Sequence, residues 1–230
     1  EKVYEGVGKY LSIWKLDERG VLQHREGGWY WGDWGVNADK ALLINEWYYL
    51  ALEGYKRMSE LLGKQVEVEN TIRKKTEFKE AFNATYWAED QYRSDKYKGE
   101  IDDRSQALAV VAGLAGEDKF DQIYKLLQTQ MYASPYMEKY VIEALFLMGQ
   151  SEFGLERLRS RFKPMIEHPE ITTLWEGWGI GRDGYGGGST NHAWSGGGLT
   201  ILSQYVAGVY PLEPAYKSFS VNPSLAGLNQ

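Results

Sequence analysis

Apolar residues recur at three- and four-residue spacing along most of this chain, and the two-residue alternation of a half-buried strand is almost absent, so the segments that bury a face are helices. The spacing predicts helices at roughly Val3–Trp14, Ala38–Leu62, Gln65–Trp87, Arg104–Ala115, Asp118–Met131, Tyr136–Met148, Ser151–Phe162 and Ala193–Val209. Punctuation between them is short. Asn37 or Asp39 caps the second helix, Gly63 ends it, and Gln65 restarts the chain almost at once. Ser134-Pro135 opens the sixth helix with proline in its first turn, and Gly149-Gln150-Ser151 leads into the seventh. Links this short force neighbours to lie antiparallel, which makes the chain an all-α series of helical hairpins. Four hairpins form a bundle or an arc of a larger ring, and no fixed-period repeat is visible.

A chain of 230 residues with 43% hydrophobic side chains buries a sizeable core. The net charge of −6 is spread along the helices, which argues against a nucleic-acid or anionic-membrane partner and suits a neutral substrate. No run approaches the roughly 20 apolar residues of a membrane span. The opening Glu1-Lys2-Val3-Tyr4-Glu5 has no feature of a signal peptide, so the fold, or part of one, is expected to begin there. Absence of cysteine excludes disulfides and thiolate catalysis, and three scattered histidines without an HExxH pattern argue against a zinc site. No cofactor is expected.

Two stretches break the helical rhythm: His24 to Asn37 and Glu170 to Asn191 are rich in glycine and tryptophan and longer than an ordinary inter-helix link. In Thr172-Thr173-Leu174-Trp175-Glu176-Gly177-Trp178 a carboxylate lies between two indoles. Indole faces stack on the C–H faces of sugars, and a carboxylate among them activates water, so Glu176 reads as a general base and Trp178 as part of a stacking surface. The bland alternative pairs Glu176 with Arg182. In Trp29-Tyr30-Trp31-Gly32-Asp33-Trp34, Asp33 is suited to binding sugar hydroxyls beside the platforms of Trp31 and Trp34, or else to capping the helix that follows. His192, in Ser189-Thr190-Asn191-His192-Ala193-Trp194, either donates a hydrogen bond to a substrate hydroxyl or merely bonds Ser189 or Thr190. Gly181 to Gly188 lacks the ending and the preceding strand of a phosphate loop, so a nucleotide site is rejected. Asp102-Asp103-Arg104-Ser105-Gln106 reads as a helix start.

Glycoside hydrolysis uses two carboxyl groups. Partners for Glu176 within the chain are Asp33, Asp102 or Asp103, Glu89 or Asp90, and Glu46.

These segments resemble, in order and spacing, the C-terminal half of the catalytic domain of the α-L-rhamnosidases of glycoside hydrolase family 78. The anchors are Gly32-Asp33-Trp34, the Asp-Arg-Ser-Gln start from Asp103, Ser-Pro-Tyr-Met-Glu from Ser134, Thr172 to Glu176, and Asn191-His192. The resemblance implies a portion of a six-hairpin (α/α)6 toroid that hydrolyses terminal α-linked L-rhamnose with inversion. Glu176 then corresponds to the general base, and His192 and Trp34 to rhamnose-pocket residues. It also implies that the general acid lies upstream, so the partners of this chain are a rhamnoside and the upstream part of the catalytic domain. Residues 1–212 are expected to form the helical portion, and 213–230, with the alternating Tyr216 to Val221, the start of a following β-domain or a tail. Two other readings stand beside this one: a non-catalytic carbohydrate-binding module, and a six-hairpin glycosidase of another sugar specificity.

Overall fold

The computed structural model describes residues 2–25, 31–181 and 188–228. Eight α-helices lie among them: α1 (Tyr4–Ser12), α2 (Lys40–Leu61), α3 (Gln65–Tyr86), α4 (Asp103–Val111), α5 (Phe120–Thr129), α6 (Pro135–Leu147), α7 (Ser151–Ile166) and α8 (Gly197–Ile201). Two small antiparallel ribbons accompany them, β1 (Trp87–Ala88) with β2 (Gln91–Tyr92), and β3 (Val209–Pro211) with β4 (Phe219–Val221). None of the described helices is long and apolar enough to cross a membrane.

Caps set the helix boundaries. Asp39 accepts from Leu42 N at the start of α2, Asp102 accepts from Arg104 N at the start of α4, and Ser134 accepts from Met137 N at the start of α6. Each side-chain oxygen satisfies a backbone donor that the helix leaves unpaired. Gly63, with φ +66°, turns the chain from α2 into α3.

The helices stack in two layers. α2, α4, α6 and α8 pack in sequence as one row, and α3, α5 and α7 lie behind α2, α4 and α6 as their hairpin partners. α4 is central: Asp103 to Val110 are all buried. One apolar core joins α1 to α6 around Leu42, Phe82, Leu108, Leu127 and Val141, and a second joins α6, α7 and α8 around Ile142, Leu158, Met165, Trp175 and Ile201. Buried polar groups at the row's end are paired with care. The Arg157 guanidinium binds Asp103 and Glu138 and also Leu127 O and Gln130 O, so burial of this charge is compensated on every side.

Three expectations change. The turn after α3 forms the β1–β2 ribbon, with Glu89 in a left-handed conformation at φ +59°. α7 runs past Phe162 to Ile166, because Pro164 falls in its last turn and Met165 is needed in the second core. The last helix, expected to reach Val209, opens as a 3-10 turn at Ala193–Gly196, continues as α8 and ends in a π turn at Leu202–Val206. Gly208 stops it. Its φ is +67°, and a Cβ there would stand 2.0 Å from Asn222 O, so only glycine lets the tail approach. The strand-like tail finds a partner within the chain: Val209, Tyr210 and Pro211 pair with Val221, Ser220 and Phe219.

Candidate active site

Two extended segments, Thr173–Glu176 and Ser189–His192, run side by side and carry the chemistry. Glu176 N donates to Ser189 O at 2.9 Å, and His192 N donates to Leu174 O at 2.9 Å. The Thr173 hydroxyl donates to Thr190 O, and the buried Ser195 hydroxyl donates to Trp175 O at 2.5 Å. A bridge between Gly181 and Gly188 closes the base of the glycine-rich loop. Residues 26–30 and 182–187, which include Trp29, Tyr30 and Arg182, lie outside the described residues.

This pairing fixes Glu176 and His192 relative to each other. Glu176 Oε2 accepts from Ser189 N at 2.9 Å, and His192 Nδ1 lies 3.6 Å from that oxygen and 2.7 Å from Ser189 Oγ. Both side chains remain partly open, 24% exposed for Glu176 and 32% for His192, so a ligand reaches them. Aromatic rings continue the surface. The His192 ring lies 4.3 Å from Trp194, Trp194 is 5.3 Å from Tyr136 and 6.4 Å from Trp34, and Tyr136 meets Trp31 edge-on at 5.2 Å. Beyond Trp31 and Tyr136 opens a hollow of about 380 Å³ whose wall includes Trp14 and Trp47. A carboxylate, an imidazole and a file of aromatic rings in contact are suited to holding a sugar ring against a base.

Residues 1–206 match the bacterial α-L-rhamnosidase six-hairpin glycosidase domain. The chain belongs to this family. Its fold is similar to that of the family 78 rhamnosidase of Bacillus sp. GL1, with TM-score 0.78 and 20% identity over 98% of this chain and 26% of that one. It is equally similar to the α-L-rhamnosidase from Dictyoglumus thermophilum, with TM-score 0.78 and 22% identity over 97% of this chain and 26% of that one. The Streptomyces avermitilis α-L-rhamnosidase complexed with L-rhamnose matches with TM-score 0.75 and 18% identity over 97% and 22% of the two chains. The chain therefore spans about a quarter of the length of these rhamnosidases. No curated relative matches it.

Within this family fold, the expected site residues divide into two groups. Glu176, His192, Trp34 and Trp31 are joined in one chain of contacts through Trp194 and Tyr136. Asp33 and Trp178 are bonded to Ser134 N and Ala133 O at the start of α6. The Asp33 side chain is fully buried: Oδ2 accepts from Ser134 N at 2.9 Å and faces Arg104 Nη1 at 3.3 Å. Burial pushes its carboxyl above the ordinary range, against the pull of Ser134 and Arg104. As placed, Asp33 offers nothing to a sugar hydroxyl, and it holds the loop of Trp34 at a strained φ of +145°. Trp178, expected as part of a stacking surface, is held by neighbours on several sides. Its Nε1 donates to Ala133 O at 2.7 Å, Phe162 abuts the ring, and the Arg161 guanidinium lies 4.0 Å over its face.

The in-chain candidates for a second catalytic carboxyl are also placed. Glu46, Asp102 and Asp103 are buried with Asp33, and Glu89 and Asp90 form the exposed turn between β1 and β2. Burial pushes Asp102 up to about 6 and raises Glu46 well above the ordinary carboxylate range.

Two contributors escaped the sequence reading. Tyr136 joins Trp31 to Trp194, and its only local signal was a place just after the cap of α6. His168 Nδ1 accepts from Glu170 N and Ile171 N, and its ring packs edge-on to Trp175, so it shapes the approach to Glu176. Nothing local marked that role.

Proposed function

We propose that this chain is the base-bearing portion of an inverting α-L-rhamnosidase. Glu176 takes a proton from water, which attacks the anomeric carbon from the face opposite the leaving oxygen. His192, Trp34 and Trp31 bind the terminal rhamnose, while Asp33 and Trp178 hold the walls of the cleft. Family membership and the placement of Glu176 support this reading, and the single observation that carries it is the carboxylate clasped by Ser189 at 3.6 Å from His192, on the same surface as the Trp194–Trp34 pair.

An inverting pair of carboxyls stands about 6.5–9.5 Å apart with water between. The buried carboxyls of this chain are tied up or enclosed, which favours a general acid in the upstream part of the catalytic domain. Exposed apolar residues, Val3 just before α1, Tyr10 on α1, Leu199 on α8 and Leu202 in the turn after it, are suited to packing against such a segment.

The decisive experiment is turnover of an aryl α-L-rhamnoside by Glu176→Gln in the complete enzyme. Loss of a general base lowers the rate by about 10²–10⁴. A variant with near-parental turnover overturns the role. Rhamnose binding without hydrolysis by the complete parent enzyme would favour a binding module.

A further inference from the structure

We infer that Ser189 is a positioning residue that fixes the proton of His192 on Nδ1 and leaves Nε2 as a hydrogen-bond acceptor facing the sugar. The inference rests on the proposed role of His192 in holding rhamnose.

Ser189 is the residue that touches both members of the site. Its backbone N–H and C=O clasp Glu176, each at 2.9 Å, and its hydroxyl meets His192 Nδ1 at 2.7 Å. A serine hydroxyl either donates or accepts, so the hydrogen bond alone leaves the tautomer open. Glu176 decides it. Oε2 lies 3.6 Å from Nδ1. A lone pair on Nδ1 would face carboxylate charge across that gap, whereas an N–H there is attracted by it. The favourable arrangement has Nδ1–H donating to Ser189 Oγ beside Glu176. Free imidazole side chains prefer the proton on Nε2, so this tautomer is imposed by the site, and which nitrogen is protonated is set by the bond the ring makes.

The consequence falls on the other ring nitrogen. Among the described residues Nε2 has no protein partner, and the ring is partly exposed on the cleft side next to Trp194. A sugar hydroxyl must then donate to Nε2, the reverse of the polarity that the sequence suggests, and an O-methyl ether at that position has no proton to give. The order of the segment follows: Ser189 and His192 are three residues apart, so one short turn places the hydroxyl against the ring while the backbone of Ser189 serves Glu176.

The test uses the full chain and the complete enzyme. In histidine-labelled protein, ¹⁵N spectra with His192→Gln as the assignment control are expected to show Nδ1–H and an unprotonated Nε2 for His192. Ser189→Ala should shift the ring toward the Nε2–H form, and Ser189→Thr should restore the parental pattern. In kinetics on an aryl α-L-rhamnoside, Ser189→Ala is expected to raise KM about 5–10-fold with little change in kcat, the worth of one hydrogen bond. In a His192→Gln background the same substitution should add nothing. An Nε2–H tautomer in the parent, or an effect of Ser189→Ala that adds fully to that of His192→Gln, overturns the inference. The spectra decide this whether or not rhamnosides are turned over, and the Glu176→Gln assay decides the catalytic reading separately.

Discussion

Arg104 and Asp33 form an ion pair in which neither side chain meets solvent, with Nη1 3.3 Å from Oδ2. Arg104 also donates to Trp34 O at 3.1 Å and Val36 O at 2.7 Å, so one cation sets the course of the loop that carries an indole to the cleft. Without Asp33, Arg104 keeps Asp102, whose Oδ1 lies 2.6 Å from Nε, so the loss is that of buried hydrogen bonds to a charged group, about 1.5–3 kcal/mol. Asp33→Ala is expected to lose that much unfolding free energy in a urea titration and to weaken rhamnose binding with it. A stability change within about 0.5 kcal/mol would contradict the pairing.

Trp34 and Trp178 are expected to respond in opposite ways. Trp34 is 36% exposed beside Trp194, so Trp34→Ala should reduce rhamnose affinity about tenfold, as loss of a stacking face worth roughly 1–1.5 kcal/mol implies, with little change in Tm. Trp178→Leu loses the bond to Ala133 O and the Arg161 contact, and should lower stability by about 1–3 kcal/mol while affinity stays near parental. Fluorescence titrations and thermal melts of the two variants make the comparison. An equal loss of affinity in both would place Trp178 in the pocket.

Glu53, on α2, gathers Lys75, Lys56 and Arg57. Burial pushes its carboxyl up, but the bonds from these three cations outweigh that and hold it down to about 2. A depressed folded-state value means that stability is present above the unfolded carboxyl's range near 4.3 and lost as pH falls toward 2. Glu53→Gln should cost about 1 kcal/mol at neutral pH, a value kept small because the cluster is partly exposed and screened. That deficit should fade between pH 4.5 and 2. Melting curves whose separation stays constant across the range would refute the assignment.

Glu46 should behave in the opposite sense. It is fully buried, both carboxyl oxygens lack partners, and burial together with Asp102 and Asp39 pushes it well above the ordinary range. The folded state then holds a proton that the unfolded chain releases above about pH 4.3, so this group's contribution to stability declines as pH rises. Glu46→Gln cannot ionise. Relative to the parent it should gain stability as pH rises above about 4.5, measured by urea midpoints. Parallel curves for the two proteins would rule out a buried neutral acid.

Features written in local chemistry were legible from sequence. Of the two residues offered as the cap of α2, Asp39 is the one that caps it, α4 and α6 begin where Asp102 and Ser134-Pro135 were expected to open them, and Gly63 and Gly149 turn the chain where the periodicity stops. The pairing of Glu176 with His192 followed from two motifs on one long loop. What escaped depends on residues far apart in the chain. Asp33 is buried because Arg104 and Ser134, 71 and 101 residues downstream, converge on it. The last helix ends early because Asn222 comes back against Gly208. The bond from Trp178 to the Ala133 carbonyl and the Arg161 guanidinium over its ring likewise come from residues far away in the chain.

The segment from Tyr132 to Ser134 ties several of these contacts together. Tyr132 N and Ala133 N donate to Asp103, Ser134 N donates to Asp33, and Ala133 O accepts from both Trp178 and Arg161. Three consecutive peptide units thus act as a yoke between the Trp34 side of the cleft and the Trp178 side. Moving the Trp34 loop relative to Trp178 therefore requires one of these bonds to break.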